Sequence, residues 1–304
     1  MKFLVIGHLC LDVIHPAEGP EVQSYGGIYY AVAALASLCR SSDEVIPVFG
    51  VNSADYSDLV ENLRQFPHVD TSGIFRFDQP TNRVHLYYKD RQNRIECSKD
   101  IAKPIPLEMI QRHLSVDGIL LNMISGSDVT LDTLDAVRLA IRSHKVPVHF
   151  DYHSLTLGIR GNHERYRRPI EDWRRWAFMN DTVQLNEEEI AGLAPGGLTE
   201  KETAGHLLTL SVQGVVVTRG ERGATLYSNE HKKVLRRDFD GIRNGPPRDA
   251  TGCGDVFGAA FLLHYVRSRD LAGATDYANR VAAAKTQQIG VGDLKSLGDV
   301  IAAA

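Results

Sequence analysis

A chain of 304 residues with 43% hydrophobic content can bury one large core or two smaller ones. Its net charge of −4 excludes a global basic footprint for nucleic acid. Four scattered cysteines, Cys10, Cys39, Cys97 and Cys253, lack Cys-x-x-Cys spacing and argue against a disulfide framework. No apolar run reaches membrane-spanning length, and the opening stretch 1–7 is too short for a signal peptide. The expectation is a soluble, cytoplasmic protein without a nucleic-acid or membrane partner.

Residues 2–6 read as a buried strand ending at Gly7. Asp12 lies just beyond the carboxyl end of that strand, where open α/β sheets bind ligands; alone, it is equally a solvated loop acid. Gly26-Gly27 leads through Tyr29 and Tyr30 into a helix over 32–38, and these aromatics either pack or offer a face to a ligand. A strand over 45–51 and a surface helix over 55–65 follow. Two polar, alternating runs, 74–77 and 83–89, then a turn around Gln92-Asn93 and extended chain to Cys97, read as strands covered on one face only.

From Leu107 a helix, a strand (118–122), a helix (131–143) and a strand (146–151) alternate. That order predicts an α/β fold with a doubly wound, mostly parallel sheet flanked by helices. His149, Asp151 and His153 alternate on the last strand, which would suit a metal, but the sequence offers no further ligands, so a place in a cleft is favoured. The six arginines between Arg160 and Arg175, with Trp173 and Trp176, read as a solvated loop and amphipathic helix.

Asn186-Glu187-Glu188-Glu189 follows a short strand, and Asn186 with Glu189 three residues on suffices for a capping box. The oxygens of both residues also suit a hydrated Mg²⁺. The Val-rich run 214–219 leads into Thr218-Arg219-Gly220-Glu221-Arg222-Gly223, with returning strands at 225–227 and 234–239. Asn279 falls near the start of a helix running to Thr286.

The chemistry centres on 249–261, Asp-Ala-Thr-Gly-Cys-Gly-Asp-Val-Phe-Gly-Ala-Ala-Phe. It reads as a glycine-rich turn opening a buried helix, whose free N–H groups and positive dipole end suit an anion. Asp255 in the first turn is either a cap or a base beside bound phosphate. No Gly-Lys pair exists for a Walker loop, and Phe257 occupies a position where a dinucleotide fingerprint needs Gly or Ala.

This stretch resembles the Asp-Thr-x-Gly-Ala-Gly-Asp signature of the ribokinase-like, or PfkB, carbohydrate kinases, departing from it at Ala250 and Cys253. Four further segments are similar to family motifs, in the same order. They are Gly26-Gly27 (with Ala31 at the family's Asn), Asn186-x-x-Glu189, Thr218-x-Gly220-x-x-Gly223 and Ala278-Asn279. The resemblance implies a single domain over 1–304 with a β-lid formed by about 12–25 and 75–97, closed with help from Thr81 and Asn82, and a homodimer through that lid.

It also implies γ-phosphoryl transfer from ATP to a hydroxyl of a small sugar, polyol or cyclitol. Asp255 is then the base, and the amides of Gly252, Cys253 and Gly254 hold the transferring group. Asp12, Gly26, Gly27, Tyr30 and Asp151 face the acceptor. Thr218, Gly220, Gly223, Gly252, Gly254, Asn186 and Asn279 face the nucleotide, and Asn186 with Glu189 bears on Mg²⁺ largely through water. Asp249 and Thr251 contribute to a site for a monovalent cation such as K⁺.

A nucleoside kinase on the same fold and a non-catalytic sugar- or nucleotide-binding regulator are the alternatives. Ala31, removing one amide, ranks cyclitols and polyols above ribose, with a weaker resemblance to inositol kinases. Cys253, at a helix N-terminus among phosphate-binding amides, is expected to favour its thiolate.

Overall fold

The structure, a computed structural model, describes residues 1–16, 19–88, 94–194, 196–231 and 233–303; the turn expected at Gln92-Asn93 lies outside them. In chain order, β1 (Lys2–Ile6) runs into the pair β2 (Leu9–His15) and β3 (Val22–Gly27), and Gly27 is the N-cap of α1 (Ile28–Leu38). Then come β4 (Glu44–Asn52), α2 (Tyr56–Leu63), β5 (Ile74–Phe77), β6 (Asn82–Tyr88) and β7 (Arg94–Lys99). The middle of the chain holds α3 (Leu107–Gln111), β8 (Gly118–Asn122), α4 (Leu131–Ile141), β9 (Val148–Asp151) and the hairpin β10 (Leu157–Ile159) and β11 (Arg165–Arg167). After α5 (Trp173–Phe178) follow β12 (Thr182–Asn186), α6 (Glu187–Leu193), α7 (Glu200–Thr209), β13 (Gly214–Thr218), β14 (Ala224–Glu230) and β15 (Lys233–Phe239). Helices α8 (Cys253–Ser268), α9 (Leu271–Lys285) and α10 (Leu297–Ala303) close the chain.

Nine strands form one sheet in the order β15-β14-β13-β12-β9-β8-β1-β4-β5. It is parallel from β13 to β5, with β14 and β15 added antiparallel. The predicted α/β class therefore holds. Its inner strands β1, β8 and β13 are apolar almost without alternation because helices cover both faces. Phe3 and Val5 of β1 point into the core beneath α1, α8 and α9, while Leu4 and Ile6 point into the core on the α4–α7 side.

A second sheet, β3-β2-β6-β7, is the lid. One expectation differs here: residues 75–77, which the resemblance placed in the lid, belong to a strand over 74–77 that pairs parallel with β4 in the main sheet. As its outermost strand, β5 has only one neighbour, and that exposure accounts for its polar alternation. Thr81 and Asn82 tie the two sheets together. The Thr81 hydroxyl bonds Asp55 at 2.6 Å and accepts the Asn52 amide, and Asn82 bonds the carbonyl of Leu9 at 3.0 Å. No helix among the described residues is long and apolar enough to cross a membrane.

Candidate active site

The parallel register lines up the polar strand ends. Asn122 stands opposite Asp151, Asp151 opposite Gln184, and Asn186 opposite Thr218. All lie at the carboxyl edge of the sheet, where an open α/β sheet leaves a crevice.

Helix α8 brings Asp255 to this edge. Its residues Val256 to Leu263 are buried without a break, so the helix is embedded and its first turn cannot drift. Gly252, the N-cap, adopts φ 75°, and a Cβ there would lie 2.3 Å from the Tyr30 ring. Tyr30, 3% exposed, is thus the floor under the glycine turn. The part of the ring that meets Gly252 is taken up by this packing.

Asp255 accepts a 2.6 Å hydrogen bond from the Asn122 amide. Burial raises its pKa, opposed by the charge of His153 and by that hydrogen bond. Asp151 is 5% exposed and bonded to Gln184 at 3.1 Å, and Gln184 also donates to the Gly254 carbonyl at 3.0 Å. Burial raises the Asp151 pKa well above the carboxylate range; His153 opposes this, and Glu189 and Asp255 add to it. Three acids therefore crowd one imidazole. His153 loses protons less readily as a result: burial alone would lower its pKa, but Glu189, Asp255 and Asp151 together carry it to about 10.

Asn122, Gln184 and the charge of His153 went unrecognised in the sequence. The register of β8 and β9, which only the fold supplies, is the signal that joins them. His149 lies elsewhere: fully buried, it bonds Thr182 and Gln184, stacks on Phe261 and has its pKa pushed down to about 4 by burial. Among the described residues no cluster of His, Cys, Asp and Glu has metal-binding form.

On the lid side, Asp12 is 6% exposed and its carboxylate lies over Gly26, where a Cβ would be 2.1 Å away. The bare glycine is what lets the acid turn inward. Burial raises the pKa of Tyr30, and the charges of Asp12, Asp249, Asp255 and Cys253 add to the rise.

Asn186 and Glu189 form the capping box. The Asn186 side chain accepts the Glu189 amide at 2.9 Å, and Glu189 accepts the backbone and side-chain N–H of Asn186 at 2.7 and 2.8 Å. Arg167 at 3.5 Å and His153 at 3.8 Å also face Glu189. With its oxygens so engaged, this pair does not fit direct Mg²⁺ ligation. It fits only the water-mediated role.

On the far side of the glycine turn is a cavity of about 540 Å³. Thr218, Gly220, Gly223, Cys253, Gly254 and Asn279 line it, with one wall from the loop 242–247 and apolar helix residues such as Phe257 and Ala283. Asn279 sits in the middle of α9, since that helix begins eight residues earlier than Asn279, at Leu271. Its amide donates to the Asp240 carbonyl at 2.8 Å. The Cys253 expectation is overturned. Its sulfur is turned toward the Ala282 carbonyl at 3.7 Å, and burial raises the thiol pKa to about 11, against the pull of Lys285 and with Asp249 and Asp255 adding to the rise.

Residues 159–296 match the model of the pfkB family carbohydrate kinase. A cytidine kinase of Thermococcus kodakarensis is 25% identical over 89% of this chain and 91% of its own length. A putative sugar kinase of Pyrococcus horikoshii is 28% identical, over 94% and 90%. A solved pyrophosphate-dependent kinase in the ribokinase family, complexed with a pyrophosphate analog and myo-inositol, has a TM-score of 0.76 at 17% identity, covering 97% of this chain and 99% of that one. At that identity the last likeness speaks for fold alone. Sheet, lid and glycine turn define a ribokinase-like fold. Just under half of the chain is thus similar to the pfkB family carbohydrate kinases, and nearly its whole length is similar to relatives named as kinases.

Proposed function

We propose that the protein transfers the γ-phosphoryl group of ATP to a hydroxyl of a small sugar, polyol or cyclitol. The observation that carries this reading is the placement of the α8 N-terminus. An anion-suited turn at 252–254 has the 540 Å³ cavity on one side and the Asp255 carboxylate, bonded to Asn122, on the strand-end side. The size and largely apolar lining of the cavity suit a nucleoside base better than a bare pyrophosphate donor. In this reading Asp255 takes the proton of the acceptor hydroxyl as the oxygen attacks phosphorus, and the N–H groups of the turn stabilise the charge on the transferring group. Mg²⁺ accompanying the donor would offset phosphate charge, with Asn186 and Glu189 acting on it through water.

Asp12, held inward over Gly26, and Asp151 are the acceptor-side acids. Ala31 is fully buried within α1, so it offers no polar group to an acceptor, which supports ranking cyclitols and polyols above ribose. The cytidine kinase relative keeps a nucleoside acceptor as the second reading. Pairing through the lid completes the proposal, supported by the edge position of β3 and its half-exposed Val22. The test is a panel of sugars, polyols, inositols and nucleosides in an ATP-consumption assay. Turnover of a polyol or inositol supports the ranking, and efficient turnover of ribose or a nucleoside alone reverses it.

A further inference from the structure

The monovalent cation implied by the resemblance meets an obstacle at Asp249. Lys285, the last residue of α9, is 0% exposed, and its ammonium donates to the Asp249 carbonyl at 3.2 Å, to Asp249 Oδ2 at 3.3 Å and to the Gln288 carbonyl at 3.1 Å. The same nitrogen lies 5.7 Å from the centre of the Tyr30 ring, the ring that supports Gly252. Two backbone carbonyls, a carboxylate and an aromatic face are a set of acceptors that would suit a small monovalent cation. Here the cation is already present, covalently attached. An ion entering the same oxygens would stand against a buried positive charge.

The surrounding bonds show what this charge organises. Asp249 Oδ1 accepts the Thr251 amide at 2.8 Å, and its Oδ2 accepts the Gly290 amide at 2.8 Å. The amides of Arg248 and Asp249 bond the Thr286 carbonyl at 2.8 and 3.1 Å. The approach to the glycine turn and the segment after α9 are thus fastened around a single half-buried acid, and that acid is matched by the fully buried Lys285.

We infer that Lys285 is a built-in cation: its ammonium takes the place of a monovalent ion at Asp249, positions the glycine turn for phosphate, and makes the protein indifferent to K⁺. It is a positioning residue, since it acts on the turn through Asp249 and Tyr30. The inference goes beyond the proposed reaction and does not depend on which acceptor is used.

The experiment is Mg·ATP binding by calorimetry together with thermal melting. Each is done in KCl, NaCl, ammonium chloride and choline chloride at matched ionic strength, for the wild type and for Lys285→Ala. The wild type should give the same affinity and the same melting temperature in all four salts. Lys285→Ala should bind Mg·ATP at least about tenfold more weakly in choline, a loss that a small cation filling the vacated oxygens partly restores. A purely structural lysine would not produce a new cation dependence. The inference is overturned if wild-type binding or melting improves in KCl over choline. It is equally overturned if folded Lys285→Ala binds like the wild type, or loses binding that no cation restores. Should Lys285→Ala fail to fold, the wild-type salt comparison and Lys285→Met, which keeps the bulk without the charge, decide the question. In Lys285→Met, binding must be weaker and, with its side chain filling the space, unresponsive to salt; wild-type-like binding overturns the inference.

Discussion

Asn122 and Asp255 meet where β8 ends and α8 begins: the side-chain amide donates to the carboxylate at 2.6 Å, and the Asn122 side-chain oxygen Oδ1 is buried without a partner among the described residues. The bond favours the ionised form of a carboxyl whose pKa burial raises. Asn122→Leu removes it and also removes the unsatisfied oxygen, so stability should change little. The loss of one charge-assisted hydrogen bond should cost about tenfold in kcat/KM near neutral pH. A base works only when ionised, so activity falls as pH drops through its pKa. The wild-type acid limb should be shifted up from the ordinary carboxylate value, and that of Asn122→Leu should lie higher still. Paired pH–rate profiles check this.

His153 gives a stability signature. Its folded pKa of about 10 lies above the ordinary 6.5, because Glu189, Asp255 and Asp151 outweigh the burial that opposes them. A group with a raised basic pKa contributes its full stabilisation below 6.5 and loses it as pH climbs toward 10. The melting temperature of the wild type should therefore fall more steeply than that of His153→Gln over this window. Because the side chain is 46% exposed, solvent screens the surrounding charges and weakens the effect of burial, and the difference should be modest. Melting curves in steps of pH measure it, and parallel curves would mean the imidazole carries no such charge.

Cys253 should be unreactive near neutrality, since its thiol pKa lies near 11 and the thiolate is the nucleophile. Timed alkylation with iodoacetamide and peptide mapping should show Cys253 no faster than Cys97. Rapid, ATP-protected modification of Cys253 would contradict this.

Gly252→Ala should be the most damaging single methyl in the turn. It combines a left-handed φ with a Cβ that would lie 2.3 Å from the Tyr30 ring. Backbone strain and overpacking each typically cost about 1–3 kcal/mol. A lower melting temperature and weakened Mg·ATP binding should appear together.

The parallel sheet was legible because strands buried on both faces read as continuous apolar runs, and the α8 turn because Gly252, Gly254 and Asp255 stand together in the chain. Residues 74–77 misled, since an edge strand alternates just as a lid strand does. Asn122 and Gln184 were invisible for a different reason: each is a lone polar residue in an apolar strand, and only the cross-strand register gives it Asp255 or Asp151 as a neighbour. The thiol of Cys253 was misjudged because the helix N-terminus is written in the sequence, whereas the burial that overrides it is not. Lys285 reads as an ordinary surface lysine at a helix end until the fold closes over it.

The proposal that Asp255 is the base is tested most directly by kcat for Asp255→Asn, with the acceptor found in the panel, beside Mg·ATP affinity and melting of the same protein. The substitution keeps the size of the side chain, and loss of a general base typically costs about 10²–10⁴-fold in rate. We expect kcat to fall by that order, with affinity held or improved by removing a negative charge near the phosphates, and melting little changed. A variant that melts normally and turns over at the wild-type rate would show that Asp255 only caps α8, and the phosphoryl-transfer mechanism proposed for this site would be wrong.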